Sequence, residues 1–97
     1  MKVFYMNGAG NDFMVMDARG LSADFSALAV ELCALRKADG FLAVGDSEQA
    51  DFKMIFYNSD GSQGEMCGNG ARCICRFAHD RGLVGDHMVF ETLAGLV

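Results

Sequence analysis

The sequence predicts an α+β domain, and three observations lead there. Short apolar runs with strand character outnumber helical segments. They do not alternate one for one with helices, as a doubly wound parallel sheet requires. Helical spacing appears in two stretches, residues 22–37 and a segment from Gly68 to Gly82. The 97 residues are 52% hydrophobic and hold no proline and no linker composition, which fits one folded unit with a modest core.

The first two strands are "KVFYM" (2–6) and "FMVMD" (13–17), joined by the glycine-rich turn "NGAGND". In "SADFSALAVELCALRK", Phe25, Leu28, Ala29, Leu32 and Leu35 follow the spacing of an amphipathic helix. Ser22 or Asp24 caps its start, Arg36 and Lys37 complement the negative end of its dipole, and Gly40 lies just beyond. "FLAV" (41–44) and "DFKMIFY" (51–57) are the next strands, separated by the polar loop "GDSEQA". The second helix runs through "ARCICRFAHDRG" to Gly82, a left-handed C-terminal residue. Its Ala71, Ile74, Cys75, Phe77 and Ala78 cover more than one face, which predicts deeper burial than for the first helix. "HMVFETLAGLV" closes the chain with one or two strands around Gly95.

Charge narrows the function classes. A net charge of -5 argues against nucleic acid as a partner. No apolar run is long enough to span a bilayer, and polar residues and glycines follow Met1 too early for a signal-peptide core. The expected location is therefore cytoplasmic, where cysteines are thiols. Cys67, Cys73 and Cys75 are spaced C-x5-C-x-C with Cys33 distant, unlike the C-x2-C pairs of zinc sites, and His79 and His87 do not complete such a pattern. No metal is expected. Cys33, Cys73 and Cys75 read as core residues, and a Cys67–Cys73 disulfide is disfavoured by the helix between them.

"YNSDGSQGEMCGNGARC" (57–73) is the stretch where chemistry can collect. Asn58, Asp60, Gly61, Ser62 and Gly64 form a polar loop that delivers Cys67 to a helix start. Unpaired N–H groups and the helix dipole there favour an anion and lower the pKa of a thiol. Gly68 and Gly70 let a ligand approach the backbone. One segment can thus hold a carboxylate on its amides and a thiolate beside it. A tight turn at Asn69–Gly70 with Cys67 as a small buried residue explains the same residues equally well. "MNGAGNDF" (6–13) has two readings as well: a hairpin turn, or a loop that brings the Asn11 amide to a ligand.

Taken together, "GAGNDF" (8–13), "FYNSDGSQGEMCGNGARC" (56–73) and "ETLAG" (91–95) resemble, in order, the N-terminal half of the diaminopimelate epimerase family. "CGNGAR" after "N-x-D-G-S" is the specific part. Proline racemase and hydroxyproline epimerase relatives are similar in fold but tend to carry histidine where this chain has Asn69. The resemblance implies one half of a two-lobed fold, with a mixed sheet wrapped around a central helix, the glycine-started one. It implies epimerisation of LL- to meso-diaminopimelate for lysine and peptidoglycan synthesis, without pyridoxal phosphate, metal or other cofactor. It makes Cys67 one of two catalytic cysteines, gives Gly68 and Asn69 amides to the substrate carboxylate, and sets Asn11 and Asn58 against the amino-acid substrate.

Two departures from the family pattern follow. "LRKADG" (35–40) runs straight from the helix where family members carry a longer glycine-containing segment, so Gly40 is not carried over as a site residue. The chain also stops at Val97, before the first lobe is complete, and the second cysteine has no counterpart in it. Inverting an α-carbon takes a base on one face and an acid on the other. The expectation is that this chain supplies one side and is inactive alone, its partner being the missing C-terminal half, or a second copy in a homodimer that sets two Cys67 residues face to face. The alternatives are an epimerase or racemase for another amino acid, and a non-catalytic module that keeps the fold.

Overall fold

The hairpin that opens the chain is longer than its apolar residues suggest. The computed structural model describes residues 3–8, 10–47, 51–64, 68–82, 90–92 and 95–96. β1 (Val3–Gly8) and β2 (Asn11–Asp17) pair antiparallel out to Gly8↔Asn11, which leaves two residues between the strands. Polar residues hold the last rungs, because the Asn7 side-chain amide donates to Asp12 Oδ1 at 2.6 Å.

α1 (Phe25–Arg36) begins at Asp24, whose carboxylate accepts from the Ala27 N–H at 3.1 Å; of the two expected caps, Asp24 is the one used. The helix buries Ala29 and Cys33 with Phe25, Leu28 and Leu32 beside them. Leu35, expected in that stripe, is 72% exposed, because the buried row steps by four through Phe25, Ala29 and Cys33 and leaves Leu35 on its flank. Lys37 ends the helix in the left-handed conformation (φ 53°, ψ 42°). Gly40 is then the first residue of β3 (Gly40–Gly45), buried throughout.

β4 (Phe52–Asn58) pairs antiparallel with β3, and α2 (Gly68–Asp80) leads to β5 (Phe90–Thr92) and β6 (Gly95–Leu96). Gly82 follows α2 in the expected left-handed conformation (φ 70°), its N–H donating to the His79 carbonyl. Among the described residues six strands lie in sequence order; β2–β3 and β4–β5 are parallel and bridged by α1 and α2, and the other neighbours are antiparallel.

Alternation along the strands separates two cores. Phe13, Val15, Leu42, Val44, Phe52 and Met54 face α2, meeting Cys73, Ile74, Phe77 and Ala78. Met14, Met16, Phe41 and Ala43 face α1. The helices therefore cover opposite faces of the sheet. The antiparallel β3–β4 step reverses strand direction between the two crossovers, so helices on opposite faces give both crossovers the same hand. Full burial of side chains such as Phe41 and Leu42 contributes about 1.5–3 kcal/mol each.

α2 buries more of itself than α1, as expected, but along one stripe rather than several. Arg72, Arg76, His79 and Asp80 form an exposed opposite side. Cys33 and Cys73 are buried and Cys75 packs beside the core, all three as thiols. Burial pushes the Cys33 thiol up, with the Asp39 charge adding to it, and burial likewise pushes up Cys75. Among the described residues no helix is long and apolar enough to cross a membrane.

Candidate functional site

Register puts three strand ends at one end of the sheet. β2 starts there with Asn11, β4 finishes there with Asn58 opposite Gly40, and Gly40 is opposite Phe13. α2 starts at the same end, because its last turns lie at the other: Phe77 packs on Phe4 at 5.5 Å, and the Arg81 guanidinium sits 4.7 Å over the Phe4 ring. Asn11 shares strand parity with Phe13, and Asn58 with Phe56 and Met54, so both asparagines lie on the α2 face. Two strand spacings and two residues of rise separate their Cα atoms by roughly 12 Å. Gly68 and Asn69 open α2, where the N–H groups of a first helical turn have no partner within the helix. Cys67, bonded directly to Gly68, lies outside the described residues.

Two features hold this end of the sheet. Asp39 accepts from the Asp12 N–H at 2.8 Å while the Asp39 N–H donates to the Asp12 carbonyl at 2.7 Å, which ties the start of β2 beside Asn11 to the short connection after α1. The Asn7 amide and then the Tyr5 hydroxyl, both donating to Asp12, hold that carboxyl below its usual range. The second feature is the loop after β4. The Asn58 N–H donates to the Ser62 carbonyl, the Gly61 N–H to the Asn58 carbonyl, and the Gly64 N–H to the Phe56 carbonyl, so the loop folds back along β4. Gly61, at φ 87°, docks on α1: Ser26 Oγ donates to its carbonyl at 2.6 Å, and a Cβ there would stand 2.8 Å from Val30 Cγ2.

Beneath the asparagines lies an aromatic floor. Phe13 and Phe56 meet edge to face at 6.2 Å over Gly40, where a Cβ would stand 2.9 Å from Phe56 Cε1. Gly64 covers the same ring, and a Cβ there would stand 2.8 Å from Phe56 Cδ2. Gly40 thus gives the floor its room, a packing role that the sequence reading left unassigned. Nothing in local spacing marks Asp39 or Ser26, and residue types mark Asp60 and Ser62 only as members of a polar loop. The D-G-S spacing, which favours a side chain bonding its backbone two residues on, was the available signal for the last pair. Among the described residues no group of three or more His, Cys, Asp or Glu is placed to hold a metal ion.

The architecture defines the class to which the chain belongs. Its fold is that of a Bacillus anthracis phenazine biosynthesis protein of the PhzF family, with a TM-score of 0.77 at 26% identity over 99% of this chain and 35% of that one. A methylitaconate-delta-isomerase shares the fold at a TM-score of 0.68 and 15% identity, over 93% of this chain and 53% of that one. Within this class the chain belongs to the diaminopimelate epimerase family, whose model matches residues 3–97. Proteins named diaminopimelate epimerase from Caldanaerobacter subterraneus subsp. tengcongensis and from Aquifex aeolicus are 46% and 43% identical to it over the whole chain. The chain spans 36% and 40% of the length of these two relatives.

Proposed function

We propose that this chain forms one side of the active site of a cofactor-independent diaminopimelate epimerase, which interconverts the LL and meso isomers in lysine and peptidoglycan precursor synthesis in the cytoplasm. The observation that supports this most directly is the convergence of Asn11, Asn58 and the first turn of α2 on one end and one face of the sheet. The backbone N–H groups of Gly68 and Asn69 donate to the substrate carboxylate, where the helix dipole favours an anion. Asn11 and Asn58 contact the rest of the amino acid through side chains that both donate and accept. Cys67, ahead of the helix start, exchanges the α-proton, its thiolate favoured by the same dipole.

Inversion sets the rest of the mechanism. A thiolate removes the α-proton from one face, the negative charge that develops spreads toward the carboxylate held on the amides, and a thiol delivers a proton to the other face. One cysteine returns a proton only to the face it came from; Cys33 and Cys73 are buried in the two cores and Cys75 packs against one, so the second proton-transfer cysteine is taken from outside these residues.

Turnover of LL-diaminopimelate in deuterated water tests this. The full-length protein incorporates deuterium at the α-carbon of the product, and Cys67→Ala lowers kcat at least about a hundredfold. The purified 97-residue chain gives no turnover; epimerisation by it alone overturns the two-sided reading. A panel of other amino acids, run in the same assay, separates this substrate from those of racemases with the same fold.

A further inference from the structure

We propose that Asp60 and Ser62 are positioning residues that set which end of the Asn58 amide meets the substrate. Asn58 Nδ2 donates to Ser62 Oγ at 3.0 Å, and Ser62 Oγ donates to Asp60 Oδ1 at 2.6 Å. The same carboxylate oxygen accepts from the Ser62 backbone N–H at 2.9 Å. An ionised carboxylate only accepts, so the single hydroxyl proton of Ser62 is committed to Asp60. The serine oxygen is then left to accept, and of the two ends of the Asn58 amide only the NH2 end can bond it. Asp60 thus sets the direction of a three-member relay, and the relay turns the Asn58 carbonyl oxygen away from the loop. Without it, the amide flips at little cost and offers donor and acceptor in either order.

The loop is built to hold this arrangement. Its backbone closures, Asn58 N–H to Ser62 carbonyl at 2.8 Å, Gly61 N–H to Asn58 carbonyl at 3.0 Å and Gly64 N–H to Phe56 carbonyl at 2.9 Å, are independent of the relay side chains. Ser26 pins the loop from α1 through the Gly61 carbonyl. Donation from the Ser62 hydroxyl, then from its backbone N–H, keeps Asp60 ionised below the usual carboxylate range, so the relay keeps its direction at neutral pH. The substrate group facing Asn58 Oδ1 must then be a hydrogen-bond donor, which among the groups of an amino acid is the ammonium rather than the carboxylate.

This inference rests on Asn58 touching substrate, and the experiment separates the two. In the full-length protein, Ser62→Ala and Asp60→Ala each raise KM for diaminopimelate about tenfold, the worth of one hydrogen bond in the right direction, with a much smaller change in kcat. Ser62→Thr, which keeps the hydroxyl, restores KM, and Ser62→Ala lowers the thermal midpoint only slightly, by the lost donation to Asp60, because the backbone closures remain. Asn58→Ala that raises KM while Ser62→Ala keeps the parent KM overturns the relay and leaves the substrate contact standing. Asn58→Ala with the parent KM removes the contact and the relay with it. A lowered midpoint at unchanged KM in Ser62→Ala assigns the pair to loop stability and overturns the proposal.

Discussion

Phe56 is pressed between two glycines, Gly40 on the neighbouring strand and Gly64 on the returning loop. Neither direction is open to the ring, since Phe13 meets it edge-on at 6.2 Å. A methyl group at either glycine therefore forces ring or backbone to shift, and Gly64→Ala and Gly40→Ala each destabilise the protein by about 1–3 kcal/mol. Urea unfolding measures the loss, and an unchanged midpoint for both removes the floor's packing role. At this scale the sequence was partly legible. "NSDGSQG" shows its turn chemistry openly, and Asp24 its capping. Gly40 did not show its role, because its neighbours Phe13 and Phe56 come from other strands, and no local spacing records a contact across strands.

Each helix end carries its own logic. α1 stops at Lys37, a left-handed residue with a side chain, where glycine costs nothing sterically. Lys37→Gly raises stability by up to about 1 kcal/mol, the left-handed penalty minus the extra freedom of the unfolded glycine. A fall in the thermal midpoint contradicts this account. The three residues 37–39 between α1 and β3 leave little slack, and Asp39 uses that economy to bond Asp12 in both directions. Helices and strands were readable from apolar spacing, yet their ends were not: the ladder of β1 and β2 runs on through Asn7, Gly8, Asn11 and Asp12, residues without strand preference, held by partners across the hairpin. Leu35 misleads in the opposite way, since periodicity names a stripe but not its margins.

Among the described residues, three carboxylates are better accommodated ionised. Asp12 is lowered by Asn7 and then Tyr5, and Asp60 by Ser62. At Asp17 burial works upward, and the Arg19 guanidinium at 3.1 Å, together with the Arg19 N–H, outweighs it. Folded pKa values below the unfolded value of about 3.9 mean that these groups stabilise the fold above that pH and cease to as pH falls through their folded values. Thermal midpoints recorded from pH 6 down to pH 3 therefore fall below about pH 4. Asp12→Asn, Asp17→Asn and Asp60→Asn together flatten the fall, and an unaltered slope in the triple variant contradicts the assignment. The α+β class and the family were legible in the sequence; the opposite faces taken by the helices were not, because they follow from strand direction, which spacing does not carry. The strand order has a consequence for how the chain comes into being. Every strand neighbours the one before it, so the sheet grows along one edge from β1 to β6. Each strand after β1 therefore has as one neighbour the strand synthesised just before it, and no later strand has to insert between two earlier ones.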